Sequence, residues 1–505
     1  MFKTRGGFKM NKNYRLKILL AVFCIAFLCS PSGKAQENQN NTIDPDKKFT
    51  PIQLKHDFKI LRDALEEGHG GLYYYTTKEK LDLQFDSILK NLDHPLNEIE
   101  LFRLLAPLIA NINDGHTGLM PSLSYRSFME KEPILIPFNL RFIDKKTYIF
   151  RNYSEDKDFV VGGEVISINN RPVSEVLEHM MTIIPSDGHV ETSKYRKLES
   201  TVRFGETYNL LFGKTTSYSI VYRSIDNKLK TIEVDGLTQK EINRIFEERY
   251  PDAAKNLPPI KLEYRENTAI LTIRTFGEGP YQRDKISYPL FLKKSFKEFE
   301  EKNIQNLIID LRNNGGGSDL FGKLPVAYLI EKPFKYYEHL RVRNKQLSFL
   351  EHTNISPERK KSLDSRLKEN DNGTYDVQFH PNLGIQKPLQ PTYKGKVYVL
   401  INGASFSASG ECTSLMHFHK KAVFVGEECG AGYYGNTSGF MFMLTLPGTG
   451  IRVRIPMVRY SMAVSGYPPD RGIIPDFPFS PTIQDLLSGK DVEMDYVIEL
   501  IKKLK

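Results

Sequence analysis

Three short strings of this 505-residue chain place strand, glycine and hydroxyl or acidic residues where acyl chemistry could occur. The first is Leu307-Ile308-Ile309-Asp310-Leu311-Arg312-Asn313-Asn314-Gly315-Gly316-Gly317, an apolar strand running directly into three glycines. Glycine lets backbone approach a ligand closely, and amides converging on one point can hold an oxyanion. The same string also reads as a tight turn that needs positive φ. The second is Val397–Ile401 followed by Asn402-Gly403-Ala404-Ser405-Phe406-Ser407-Ala408-Ser409-Gly410-Glu411. A serine at a strand–turn–helix junction is exposed where helix-start N–H groups favour developing negative charge. A serine there also serves as an ordinary helix cap. The third is Ala422-Val423-Phe424-Val425-Gly426-Glu427-Glu428-Cys429-Gly430-Ala431-Gly432, another strand ending in glycines.

In this order and spacing the three strings resemble the C-terminal processing (tail-specific) serine peptidases and the related tricorn protease core. The resemblance covers about Leu262 to Phe479. It implies a crotonase-like twisted-sheet α/β catalytic domain that hydrolyses peptides through an acyl-enzyme and uses no cofactor. It places the nucleophile on Ser407, with Ser405 and Ser409 as neighbouring alternatives, and the oxyanion donors on the Ala408 amide and the Gly315–Gly316 turn. One departure stands out. The lysine that serves as base in the C-terminal processing branch aligns with Gly432, and no lysine occurs between Lys421 and Lys490. A serine hydroxyl needs a base to take its proton.

The tricorn-like branch is similar in another respect, since its base is a histidine far upstream, and His116 in Asp114-Gly115-His116-Thr117 occupies that place. An imidazole titrates near working pH and suits the role, although a turn histidine can also be purely structural. An ordinary imidazole value implies activity rising through roughly pH 6 to 7.5. That branch orients its histidine with an acid just before a Gly-hydrophobic-x-Pro-Asp string. Gly472-Ile473-Ile474-Pro475-Asp476 matches, which makes Asp470 the acid, with Asp114 the local alternative and Asp476 a structural residue. His69, His417 and His419 read as structural or packing residues. No paired-histidine metal pattern occurs, and the glycine runs lack the Lys-Ser/Thr of a phosphate loop.

These residues need three supporting layers. Residues 36–130 comprise a polar linker and a helical domain, with apolar positions Leu54, Phe58, Leu61, Leu65, then Leu81, Phe85, Leu89, then Phe102, Leu105, Leu108, Ile109 and Ile112 at helical spacing. Residues 131–240 change to a period of two. Within them Gly162-Gly163-Glu164-Val165-Ile166-Ser167-Ile168-Asn169-Asn170-Arg171-Pro172-Val173 resembles the strand, turn and helix of a PDZ domain, although no carboxylate-binding loop is evident upstream. Residues 241–505 read as the α/β catalytic domain, interrupted by a polar, lysine-rich insertion between Glu331 and Tyr393.

Composition narrows the setting. Hydrophobic residues make up 40% and aromatics 11%, as in a folded globular chain. The formal charge of +9 falls to +2 once the seven basic residues of the first 35 are subtracted, so nothing points to nucleic acid or an anionic membrane as a partner. Residues 1–35 read as a signal peptide: a basic start, an apolar run from Ile18 to Cys29, and a small-residue cleavage site ending at Ala35. This implies a periplasmic or secreted enzyme without a membrane span. A lipid anchor on Cys29 is disfavoured by Phe27-Leu28 before it. The remaining Cys412 and Cys429 could pair or stay as small buried hydrophobes. The expected partner is a peptide or protein substrate. Two other classes fit the same residues: a non-catalytic peptide- or ligand-binding member of the fold, and an esterase or acyltransferase.

Overall fold

The computed structural model describes residues 44–156 and 159–503, so the expected signal peptide, Cys29 and the expected cleavage site at Ala35 lie outside the described residues. The helical segment starts at Thr50, whose hydroxyl and Gln53 form a capping box ahead of Pro51. Helices α1 (Pro51–Gly68), α2 (Lys78–Lys90) and α3 (Glu98–Asn111) bury the expected faces against one core. One register differs. Ile88, not Leu89, is buried on α2, and Leu89 is 43% exposed. Asn113 then takes a left-handed conformation (φ +57°) that ends α3 and turns the chain into Asp114. Strand β1 (Gly118–Met120) follows at once and pairs antiparallel with Arg452–Arg454, more than 300 residues later. This pairing fixes the turn carrying His116 to the far part of the chain.

The second segment is a sheet of β2 (Phe138–Ile143), β3 (Lys146–Asn152), β4 (Glu164–Ile168), β5 (Ser217–Arg223) and β6 (Leu229–Asp235), in that order. Asn169 and Asn170 supply the positive-φ turn after β4. Helix α4 (Val173–Met181) closes over the sheet through Val176, Leu177 and Met180. The period-two reading missed two further helices, α5 (Glu191–Leu198) and α6 (Thr201–Phe212), inserted before β5. The loop between α4 and α5 proves important below.

The third segment is a six-stranded sheet of β7 (Ile260–Arg265), β8 (Thr268–Ile273), β9 (Asn306–Asp310), β11 (Lys396–Ile401), β12 (Val423–Gly426) and β17 (Phe477–Pro478). All neighbours after the β7–β8 hairpin are parallel. A parallel sheet needs both faces covered, which is why these strands read as unbroken apolar runs. Leu307, Ile309, Val397, Val399 and Ile401 face helices α7 (Tyr288–Glu301), α8 (Asp319–Leu329) and α9 (Ala408–Phe418). Ile308, Tyr398, Leu400 and Val425 face the C-terminal helix α10 (Val492–Lys503). Arg312 ties α10 down through Asp310, Asp491 and Glu493. The lysine-rich insertion is partly ordered. Its β10 (Tyr337–Val342) joins a second sheet with β13 (Gly435–Gly439) and β16 (Val458–Met462), while β14 (Phe442–Thr445) and β15 (Arg452–Ile455) complete the sheet that receives β1. No described helix is long and apolar enough to cross a membrane. Cys412 and Cys429 are both buried free thiols.

Because β9 and β11 are adjacent and end in step, Asp310 opposite Leu400, the two glycine- and serine-bearing loops leave the sheet side by side. Reciprocal asparagines join them: Asn313 N donates to Asn402 Oδ1 and Asn402 Nδ2 to Asn313 Oδ1, each at 3.0 Å. Ser405, fully buried, donates to Leu311 O at 2.7 Å and accepts from Asn402 N at 3.1 Å. Ser405 thus has a structural task. Ser405→Ala would leave the buried Asn402 N–H without its acceptor and Leu311 O with Asn314 N alone, and urea unfolding should register a loss of about 1–3 kcal/mol.

Candidate active site

Ser407 occupies the sharp turn between β11 and α9 with φ +56° and ψ −124°, a conformation that L-residues rarely adopt and that costs about 1–3 kcal/mol. Such strain lifts a side chain clear of the backbone at a strand-to-helix turn. Of the three serines here, Ser405 and Ser409 are fully buried and Ser407 is partly exposed. The turn is held from both sides. Phe406 N donates to Asn314 O at 3.0 Å, and Glu411 N to Ser407 O at 3.1 Å as α9 begins.

His116 meets this serine. Its Nε2 lies 3.1 Å from Ser407 Oγ, within proton-transfer reach. Two contacts hold the turn. Arg454 Nε donates to His116 O at 2.7 Å alongside the β1–β15 pairing, and the Phe406 ring stacks on the imidazole at 4.6 Å between centroids. Asp114 shapes the turn from within, its Oδ1 accepting from His116 N, Thr117 N and Thr117 Oγ1, each at 3.0 Å. His69 supports it from behind. Its Nδ1 accepts from Gly71 N, so its proton lies on Nε2 and points at Thr117 Oγ1, 2.7 Å away.

The oxyanion assignments divide. Ala408 N, at the first position of α9, and Gly315 N have no protein acceptor among the described residues. Gly316 N is already committed to Asn314 Oδ1 at 3.0 Å, which corrects its assignment as a donor. Gly316 instead permits close approach. At φ +96°, a Cβ there would fall 2.7 Å from the Ser407 Cβ and 3.0 Å from Ala408 N.

Asp470 does not reach His116. Its carboxylate accepts from His189 Nδ1 at 2.7 Å in an exposed pair, while His116 Nδ1 is buried without a hydrogen-bond partner among the described residues. The cause lies in the next residues. Arg471 and Gly472 are bonded to Glu428, and a Cβ at Gly472 would fall 2.0 Å from Cys429 O, so the chain just after Asp470 is held against residues 428–429. Asp476 accepts from Phe424 N at 2.8 Å and fixes β12 beside the last strand. A buried carboxylate that sequence reasoning missed is Asp187, in the loop between α4 and α5. Asp114, Asp187 and a ring nitrogen of His116 lie within 4.8 Å of one another, all buried. Asp187 receives Gly115 N at 2.8 Å and Gly432 N at 3.1 Å. A side chain at Gly432, where the other branch carries lysine, would collide with Tyr75 Oη at 2.2 Å and press on the Asp187 Cβ at 3.4 Å.

Residues 267–479 match Peptidase family S41, and residues 132–246 match a PDZ domain. Residues 267–479 are thus a family S41 peptidase segment. The chain is similar in fold to solved structures of low sequence identity. Mature CPAF is 16% identical with a TM-score of 0.59, the match covering 90% of this chain and 98% of that one. Mature CPAF complexed with lactacystin is 17% identical at the same TM-score, covering 90% and 99%. The photosystem II D1 C-terminal processing protease, at 12% identity and a TM-score of 0.40, covers 87% and 98%. No curated protein matches the sequence significantly. The expected mixed α/β architecture with helical and PDZ-like parts is the one observed. His116 falls outside both matched segments, and Asp187 falls inside the PDZ match.

Burial pushes the His116 pKa down to about 4. Asp114 opposes this, and Arg454, Lys197 and Arg459 add to it. The resting imidazole is therefore neutral across the range in which an ordinary histidine would be half charged, and the expected titration near pH 6.5 moves. In an NMR titration the His116 ring should keep its neutral chemical shifts down to pH 5; a midpoint at 6 to 7 would contradict the buried site.

Proposed function

We propose that this chain is an exported serine endopeptidase working through a Ser407 acyl-enzyme, with His116 as general base. The observation that carries the reading is the 3.1 Å approach of His116 Nε2 to a serine hydroxyl held at positive φ. The neutral imidazole takes the Ser407 proton as Oγ bonds to the peptide carbonyl carbon. The negative oxygen is received by the Ala408 and Gly315 amides at the positive end of α9. When the C–N bond breaks, His116 returns the proton to the leaving amine, and water then repeats the sequence on the ester. The position of the lysine base in the other branch is Gly432, whereas His116 is within hydrogen-bond reach of Ser407. This supports a place nearer the tricorn-like branch than the Ser–Lys one. The basic, apolar and small-residue sequence of residues 1–35 supports export with release at Ala35.

One experiment addresses nucleophile and export together. The full-length protein is expressed in a bacterium with an export pathway, treated with a fluorophosphonate and read by mass spectrometry. The mature chain should begin at Gln36 and carry a single adduct on Ser407, absent in Ser407→Ala, and the untreated enzyme should cleave peptides. No adduct would favour the binding module, an adduct with ester but no peptide cleavage the acyltransferase reading, and an acylated Cys29 a lipid-anchored protein.

A further inference from the structure

For His116 to accept the Ser407 proton at Nε2, its own proton must sit on Nδ1, and a buried Nδ1–H needs an acceptor. Among the described residues Nδ1 has none, and Asp470 is bonded elsewhere. Two carboxylates stand close enough. Asp114 is the poorer choice. It precedes His116 by two residues, and its Oδ1 is filled by three donors that build the turn. Asp187 comes from a different segment, is fully buried, and each of its oxygens accepts one backbone amide, so both keep a free lone pair.

We propose that Asp187, contributed by the PDZ-like segment, is the positioning residue for His116. It accepts the Nδ1 proton's hydrogen bond and stabilises the imidazolium that forms as Ser407 attacks. The loop geometry is built for this. Gly188 N donates to Asn113 O at 2.9 Å and Gly115 N to Asp187, which fasten the loop to the turn carrying His116. His189 N donates to Asp470 O at 2.8 Å and Gly432 N to Asp187, which fasten it to the catalytic domain. Asp470 thereby holds the loop that carries the acid. A ring nitrogen of His116 and a carboxylate oxygen of Asp187 already lie within 4.8 Å of each other. No proton leaves Nδ1 during the cycle; the transferred proton moves only between Ser407, His116 Nε2 and the leaving group.

A distinctive pH dependence follows. Burial and the neighbouring Asp114 push Asp187 up to about 6, against the pull of the Gly115 and Gly432 amides and Arg459. The other charged or titratable groups facing the pair are His69, Tyr75, Lys197, Cys429 and Arg454. Below about pH 6 Asp187 carries a proton and offers the imidazolium no negative charge; above it the carboxylate does.

This inference rests on the Ser407–His116 reading, and the test separates the two. Wild type, Asp187→Asn, Asp114→Asn and His116→Ala are assayed on one peptide from pH 4.5 to 8.5. Wild-type kcat/KM should rise through about pH 6. Asp187→Asn should lose about 10²–10⁴-fold in kcat with little change in KM, and lose the step near pH 6. Asp114→Asn should keep the step but move it to lower pH, since a like charge has been removed. Asp187→Asn within threefold of wild type, or a step near pH 6 that survives it, overturns the inference while an inactive His116→Ala leaves the base intact. An active His116→Ala overturns both. If Asp187→Asn does not fold, ring NMR of the wild-type protein decides. A downfield, exchange-protected Nδ1–H above pH 6 is expected, and a ring protonated on Nε2 at rest contradicts the assignment.

Discussion

The strained backbone at Ser407 is the constraint on which the rest of the molecule depends. A serine at φ +56° relaxes unless its neighbours over-determine it. The reciprocal Asn313–Asn402 pair, the Ser405 bridge to Leu311, and Phe406 bonded to Asn314 supply that determination. All of them exist because β9 and β11 are parallel neighbours ending in register, so two loops distant in sequence emerge from the sheet at one level. Ligand chemistry at the carboxyl ends of parallel strands is a general property of such sheets. Here the glycine loop presses against the serine so closely that Gly316 has no room for a Cβ.

The second requirement is a base, and it comes from outside the sheet. Three antiparallel residue pairs between β1 and β15, together with Arg454 bonded to His116 O, bring a turn from the helical segment onto Ser407. Burial there has an electrostatic consequence. Desolvation keeps the imidazole neutral and able to accept a proton, whereas the same burial makes the imidazolium of the transition state costly unless an anion is close. The Asp114–Asp187 pair stands in that position.

The sequence made parts of this legible for physical reasons. Apolar strands running into glycines marked β9 and β11, and order along the chain singled out Ser407, because buried parallel strands and tight turns constrain composition strongly. His116 was legible only through the missing lysine; nothing in Asp114-Gly115-His116-Thr117 encodes its approach to residue 407. Leu89 was misread because a one-residue shift on α2 leaves the helical pattern almost unchanged. Asp470 was misplaced because a motif gives register but not loop direction, which the Arg471–Glu428 pair decides. Asp187 was invisible, since α5 and α6 interrupt a segment whose period of two had been read as continuous. The committed amide of Gly316 depends on an Asn314 side chain whose orientation no string reveals.

Whether Ser407 and His116 act as one unit is tested most directly by the kinetics of Ser407→Ala, His116→Ala and the double variant on a single peptide. If the hydroxyl and imidazole share one proton transfer, each single change should cost about as much as both together. The double variant should then fall within a few-fold of either single one. Losses that multiply, or a His116→Ala enzyme retaining most of its kcat, would contradict the pairing.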